Sequence, residues 1–217
     1  MPATYVSSVQ RLRDLPAVFS GRDLTVRFQW PSATASQYLA NWRKAGLIRA
    51  LGGHSDVFMN LIVAPQPDVE QALLRALPEA VRIGADVLRE AGWTTQIHRM
   101  PDIVVPLSSP RYKLADFTVQ TRAARWFARV KPGLADAGQG VARLSPAWAL
   151  ADMMDRYLDR RVKGAWLLAP DDLELDEAAQ AEGAQAALNA FGLDPASLTA
   201  AGYARVYDSR GGRLSRM

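Results

Sequence analysis

Apolar side chains recur at helical spacing through the first part of the chain. Tyr5, Val9 and Leu12 mark a first helix. Ser20 and Asp23 form a capping-box pattern, with Phe19 and Leu24 spaced to close a hydrophobic staple around it. A second helix therefore starts there. Leu24 and Phe28 are its apolar face, and Trp30-Pro31 ends it, because the residue before proline is pushed out of helical geometry. Ala35, Leu39 and Trp42, at i, i+4 and i+7, predict a third helix. Ser32 is its expected N-cap, and Gly46 stands where a left-handed C-terminal cap takes glycine. Leu47, Ile48 and Leu51 predict a strand, Gly52 to Asp56 a hairpin tip and Val57 to Val63 the return strand. Three helices and a two-stranded wing within Thr4 to Val63 have the order of a winged helix-turn-helix, the third helix being the one that would enter a DNA groove.

The Pro-rich step Ala64 to Asp68 predicts a boundary, giving domains over 1–64 and 65–217. Beyond it, Val69, Leu73, Ala76 and Leu77 predict a helix stopped by Pro78. Val81 to Ile83 leads to Gly84 and a short helix, Ala85 to Ala91, closed by Gly92. Gln96 to Arg99, Ile103 to Val105, Tyr112 to Leu114 and Phe117 to Thr121 read as strands of a small sheet. Ala123 to Val130 fits either strand or helix. Ser145-Pro146, an N-cap followed by proline at the first helical position, opens a helix carrying Trp148, Ala151, Met154 and Leu158. One more helix is expected from Asp176 to Phe191 and a last one from Asp194-Pro195 to Gly202. Ser209 to Met217, with Arg210, Arg213 and Arg216, reads as a frayed basic tail. The expected class is α+β: an N-terminal winged helix-turn-helix followed by an α+β domain with a helical C-terminal end.

Composition narrows the function. At 217 residues and 49% hydrophobic, the chain can bury a sizeable core. It has no cysteine, which excludes disulfides, thiolate metal sites and a cysteine nucleophile. No apolar run approaches transmembrane length and no signal-peptide core is visible, so a cytoplasmic protein without membrane contact is expected. The net charge of +4 is unevenly placed. Residues 1–64 hold seven Lys and Arg against three Asp, whereas the remainder holds nineteen of each sign. All the excess positive charge thus lies in the segment whose pattern suggests DNA binding.

Within that segment the third helix presents a polar stripe without carboxylates. Thr34, Gln37 and Asn41 are expected to contact base edges, with Ser32, Ser36 and Tyr38 beside them. Arg43, Lys44, Arg49 and His54 in the wing are expected to hold phosphates, His54 being equally suited to a minor groove or to an uninvolved exposed position. Catalytic equipment is sparse. The two histidines, His54 and His98, have no metal-ligand spacing, and neither a Walker lysine loop nor a GxGxxG motif occurs. Gly84, a helix and then Asp102-Ile103-Val104 follow the order of a nucleotidyltransferase core, but the second acid is Val104 and the serine after the glycine is Ala85. A non-enzymatic chain without cofactor or metal is expected. The alternative is a protein-interaction module with a degenerate nucleotidyltransferase-like second domain.

The order of a wing module, Gly84, Gly92-Trp93-Thr94, and then Leu144-Ser145-Pro146 with Ala149, Leu150 and Asp152 resembles the antitoxin of the AbiE abortive-infection system, a type IV toxin-antitoxin pair. Family members often carry Glu-Arg after Ser-Pro, where this chain has Ala147-Trp148. The resemblance implies a repressor that binds inverted repeats in double-stranded DNA upstream of its own gene, and whose C-terminal region counteracts a cognate nucleotidyltransferase toxin.

Overall fold

The computed structural model describes residues 7–135, 138 and 140–210. Tyr5 of the expected first helix, and Arg213 and Arg216 of the expected tail, lie outside the described residues. The chain forms two compact units of α+β class. The first lies within Met1–Ala80, Ser108–Val119 and Gln139–Val141, the second within Val81–Leu107, Gln120–Gly138 and Ala142–Met217.

The first unit begins with α1 (Ser8–Arg13), capped by the Ser7 hydroxyl, which accepts from the Gln10 N–H at 3.1 Å. A strand absent from the sequence expectation follows, β1 (Val18–Ser20). Then α2 (Gly21–Phe28) starts at the capping box, with the Asp23 carboxylate accepting from the Ser20 N–H at 2.7 Å. Next come α3 (Ser32–Lys44), β2 (Ile48–Ala50), the two-residue β3 (Gly52–Gly53) and β4 (Val57–Asn60). Strand β4 lies between β1 and β2, antiparallel to both, with Arg49 opposite Met59 and Phe19 opposite Phe58. The hairpin is therefore three-stranded at its root. The return strand stops at Asn60 rather than Val63, because this fully buried amide is engaged elsewhere. It donates to the Leu12 and Leu15 carbonyls at 2.7 and 3.3 Å and accepts from the Ile62 N–H at 3.2 Å. The loop after α1 is thereby tied to the hairpin. Leu12, Leu15, Phe19, Leu24, Ala35, Trp42, Ile48 and Phe58 form one core under α3.

α4 (Val69–Ala76), capped by Asp68, packs on β1 and β4. The unit therefore continues to Ala80, past the boundary that the proline-rich step suggested at residue 64.

The second unit holds β5 (Val81–Ile83), α5 (Ala85–Glu90) and β6 (Asp102–Pro106). β7 (Lys113–Leu114) belongs to the first unit, and β8 (Thr118–Arg122) enters the second from Gln120. α6 (Ala124–Val130) resolves the ambiguous stretch as a helix whose Trp126 and Val130 are buried. β9 (Leu134–Ala135), β10 (Ala142–Leu144) and α7 (Pro146–Leu158) follow. The sheet order is β8-β6-β5-β10-β9, with β5 antiparallel to β6 and parallel to β10. The expected strand at Gln96–Arg99 does not form. Gln96, Ile97 and Arg99 are exposed, and His98 stacks on Trp166 instead of entering a ladder, centroids 4.3 Å apart.

α7 starts at Ser145 as expected and is buried along most of its length. The departure at Ala147-Trp148 is a packing feature: both residues are buried, and a Cβ on Gly133 would sit 2.1 Å from the Trp148 ring. The helical end comprises α8 (Leu175–Gln180), α9 (Ala184–Phe191) and α10 (Ala200–Asp208). The single helix expected over Asp176–Phe191 breaks where Ala181 is extended and Gly183 takes φ +79°. The last helix runs through Gly202 to Asp208, because that glycine permits close packing rather than a stop. A Cβ there would lie 1.7 Å from the Ala196 carbonyl oxygen. Arg210 is half-buried, donates to the carbonyls of Asp159 and Val162 and lies 5.4 Å over the Tyr157 ring, so the expected tail is anchored at least this far. Among the described residues no helix is long and apolar enough to cross a membrane.

Candidate nucleic-acid interface

Helix α3 is held from below and closed sharply at its end. Trp42 is 1% exposed, its Nε1 donates to the Ser8 hydroxyl at 2.7 Å, and its ring lies against Tyr38. Gly46 at φ +67° lets the Leu47 N–H reach the Trp42 carbonyl at 2.9 Å and its own N–H reach that of Arg43 at 3.1 Å, the paired bonds of a Schellman motif. The N-cap is Pro31, one residue before the expected Ser32, which becomes the first helical residue and is exposed.

With one face fixed inward, the opposite face presents Ala33, Ser36, Gln37, Ala40, Asn41 and Lys44 to solvent, at steps of three and four. No carboxylate interrupts this stripe. Ala33 and Ala40, small residues on the same face, leave the polar side chains room to reach a surface laid against the helix. Arg43 is exposed on its flank. Thr34 is half-buried at the edge of the stripe rather than central to it. Tyr38 is a packing residue: it stacks on Trp30 with centroids 4.2 Å apart, Phe28 also packs against Trp30 with centroids 4.8 Å apart, and the Arg11 guanidinium lies 5.2 Å over the Trp30 ring.

In the hairpin, Arg49 is exposed, but its guanidinium lies 3.7 Å from the Asp116 carboxylate and 3.7 Å from the Met59 sulfur. An exposed pair of this length contributes little and exchanges readily for another anion. His54 is exposed at the tip with φ +67°. The acids of residues 1–64 are largely engaged: Asp23 caps α2 and pairs with Arg75 at 2.6 Å, and Asp56 accepts from the Gly21 N–H at 3.2 Å. Arg43 and Lys44 have no carboxylate within ion-pairing distance among the described residues.

One element beside the hairpin has no local signal in the sequence. β7, some sixty residues later in the chain, pairs antiparallel with β3, Gly52 opposite Leu114 and Gly53 opposite Lys113. Only the consecutive glycines hint at such a close approach.

The second unit holds a separate polar cluster. Gly84 has φ +79°, and a Cβ there would lie 3.2 Å from the Asp102 carboxylate. Asp102 is held above the usual carboxylate range by burial, although it accepts from the Gln120 amide at 3.1 Å. Asp152, 1% exposed on α7, is raised to about 6 by burial. Its Oδ1 accepts from the Trp126 Nε1 at 2.7 Å, and its Oδ2 has no hydrogen-bond partner among the described residues. Asp86 behaves oppositely: burial pushes it up, and hydrogen bonds from Arg89 and Arg82 more than reverse this, leaving it below its ordinary value. Val104 is fully buried in the core. Among the described residues no three His, Asp or Glu side chains converge in a way that could hold a metal ion.

No family model matches the chain, and no curated protein matches it. Among solved structures, the fold is similar to the crystal structure of RV2827C protein from Mycobacterium tuberculosis, with a TM-score of 0.58 and 17% identity over 94% of this chain and 75% of that one. At this identity the likeness shows the fold alone.

Proposed function

We propose that the N-terminal unit is a winged helix-turn-helix that binds duplex DNA, with α3 in the major groove, and that the chain is a transcriptional repressor. The observation that carries this is the exposed, carboxylate-free face of α3, Ser36, Gln37, Asn41 and Lys44, on a helix anchored by Trp42. Such a rigid polar face beside uncommitted cations matches what base edges and phosphates require. Ser32, Thr34 and Arg43 flank this face, and Arg49 and His54 supply the wing. The antitoxin half of the proposal rests on the resemblance to the AbiE family. In it the second unit counteracts a nucleotidyltransferase toxin and the operator is an inverted repeat upstream of the protein's own gene.

The test separates the two kinds of contact. Lys44→Ala weakens binding about equally on specific and scrambled duplexes and lowers the slope of log affinity against log salt by about one. Gln37→Ala instead relaxes the preferred sequence, losing roughly 1–3 kcal/mol of discrimination at one base pair per half-site. Equal behaviour of the two variants across both duplexes would sink this assignment of roles.

A further inference from the structure

Strand β7 extends the wing. Lys113 lies opposite Gly53 and Leu114 opposite Gly52, so the tip of the hairpin gains a strand drawn from a distant part of the chain. The fit depends on Gly52, whereas a side chain at Gly53 would make only ordinary contact. A Cβ on Gly52 would meet the Lys113 carbonyl oxygen at 2.5 Å, and one on Gly53 would lie 3.7 Å from the Lys113 Cβ. Lys113 is thus an exposed residue paired with Gly53, the neighbour of His54 in the chain.

Arg111 and Lys113, two residues apart, are both exposed, and neither has a carboxylate within ion-pairing distance among the described residues. Arg111 lies two residues before Lys113, just ahead of β7, so both cations belong to the segment that leads into the hairpin tip. The acid on this segment, Asp116, lies instead beside Arg49.

We propose that Arg111 and Lys113 are phosphate-binding residues of a composite wing, in which β7 pairs with β3 at the hairpin tip, and grip the backbone of duplex DNA beside the groove that α3 enters. This rests on the DNA-binding reading above and adds a contact surface that lies outside residues 1–64. Phosphate contacts made from β7 fix register without reading sequence. Asp116 adds a local competitor: Arg49 must leave it to reach a phosphate, whereas Arg111 and Lys113 need leave nothing.

The experiment is a salt titration of the full chain on a duplex carrying the sequence upstream of its gene and on scrambled duplex, read by fluorescence anisotropy. Each lost phosphate contact removes close to one unit of salt slope, so Arg111→Ala with Lys113→Ala lowers the slope by about two and affinity by roughly 30-fold at 0.15 M salt on both duplexes. Arg111→Lys with Lys113→Arg restores both. Gly52→Ala, which removes no charge but pushes β7 from the hairpin, lowers the slope in the same direction. If Lys44→Ala lowers the slope while the double alanine variant, folded by circular dichroism, keeps the wild-type slope, the composite wing is wrong and the α3 assignment stands. If the wild-type chain binds neither duplex, both fall together.

Discussion

Trp42→Ala is expected to unfold the first unit's helical layer. The indole is buried, lies tilted against the Tyr38 ring and donates to Ser8. Its removal leaves a large cavity and an unpaired hydroxyl, at a cost of about 3–5 kcal/mol. The backbone carbonyl of Trp42, which the substitution keeps, accepts the Leu47 N–H that closes α3, so the lost packing falls on the end of the helix carrying Lys44. Amide exchange along α3 should quicken roughly 100- to 4,000-fold, because each 1.4 kcal/mol is a factor of ten. Trp42→Phe, which keeps most of the volume, should stay well below this. Unchanged exchange in the alanine variant would mean that α3 is not anchored through this residue.

The second large effect is electrostatic and belongs to the other unit. Asp152 is buried on α7 with a pKa of about 6, above the 3.8 of an ordinary aspartate. The native state therefore binds more protons than the unfolded chain between about pH 4 and 6. Its contribution to stability is fully present at low pH and is lost as pH rises through that window. A rise of this size corresponds to about 3 kcal/mol. Asp152→Asn keeps an oxygen for Trp126 and removes the buried charge. The variant should match wild type near pH 4 and exceed it by about 2–3 kcal/mol at pH 7, measured by urea unfolding across pH. A stability difference that does not vary with pH would show that Asp152 stays neutral or is solvated.

Local chemistry explains which elements are legible in the sequence. The capping box at Ser20 and Asp23, the Gly46 stop and the Ser145-Pro146 start are each decided within a few residues, and the structure has them. Trp42 and Ala35 can be assigned to the core because helical spacing fixes which face they share. Other features depend on partners distant in sequence. β1 is three residues long and exists because Phe19 finds Phe58. β7 is two residues long and exists because Gly52, without a Cβ, lets the Lys113 backbone approach. Gly202 reads locally as a helix stop, yet the packing of Ala196 against it decides its role.

The candidate site divides in the same way. Of the stripe that periodicity gives, Gln37, Asn41 and Lys44 are exposed on one face of α3 and Thr34 is half-buried at its edge, while Ser36, expected beside the stripe, is exposed within it. Tyr38 sits between them in sequence but turns to Trp30, a partner that spacing along α3 does not reveal. Arg49 reads locally as an uncommitted cation, whereas its partner Asp116 comes from a distant part of the chain. Arg111 and Lys113 carry no local mark of their place beside the wing.

The most direct measurement of the central claim is fluorescence anisotropy of the purified chain on the duplex immediately upstream of its own gene, against scrambled DNA, at two salt concentrations. The account predicts binding to both at low salt, and at higher salt a steep loss on scrambled DNA with retention on the upstream duplex. Absence of binding to either duplex at either salt would contradict it.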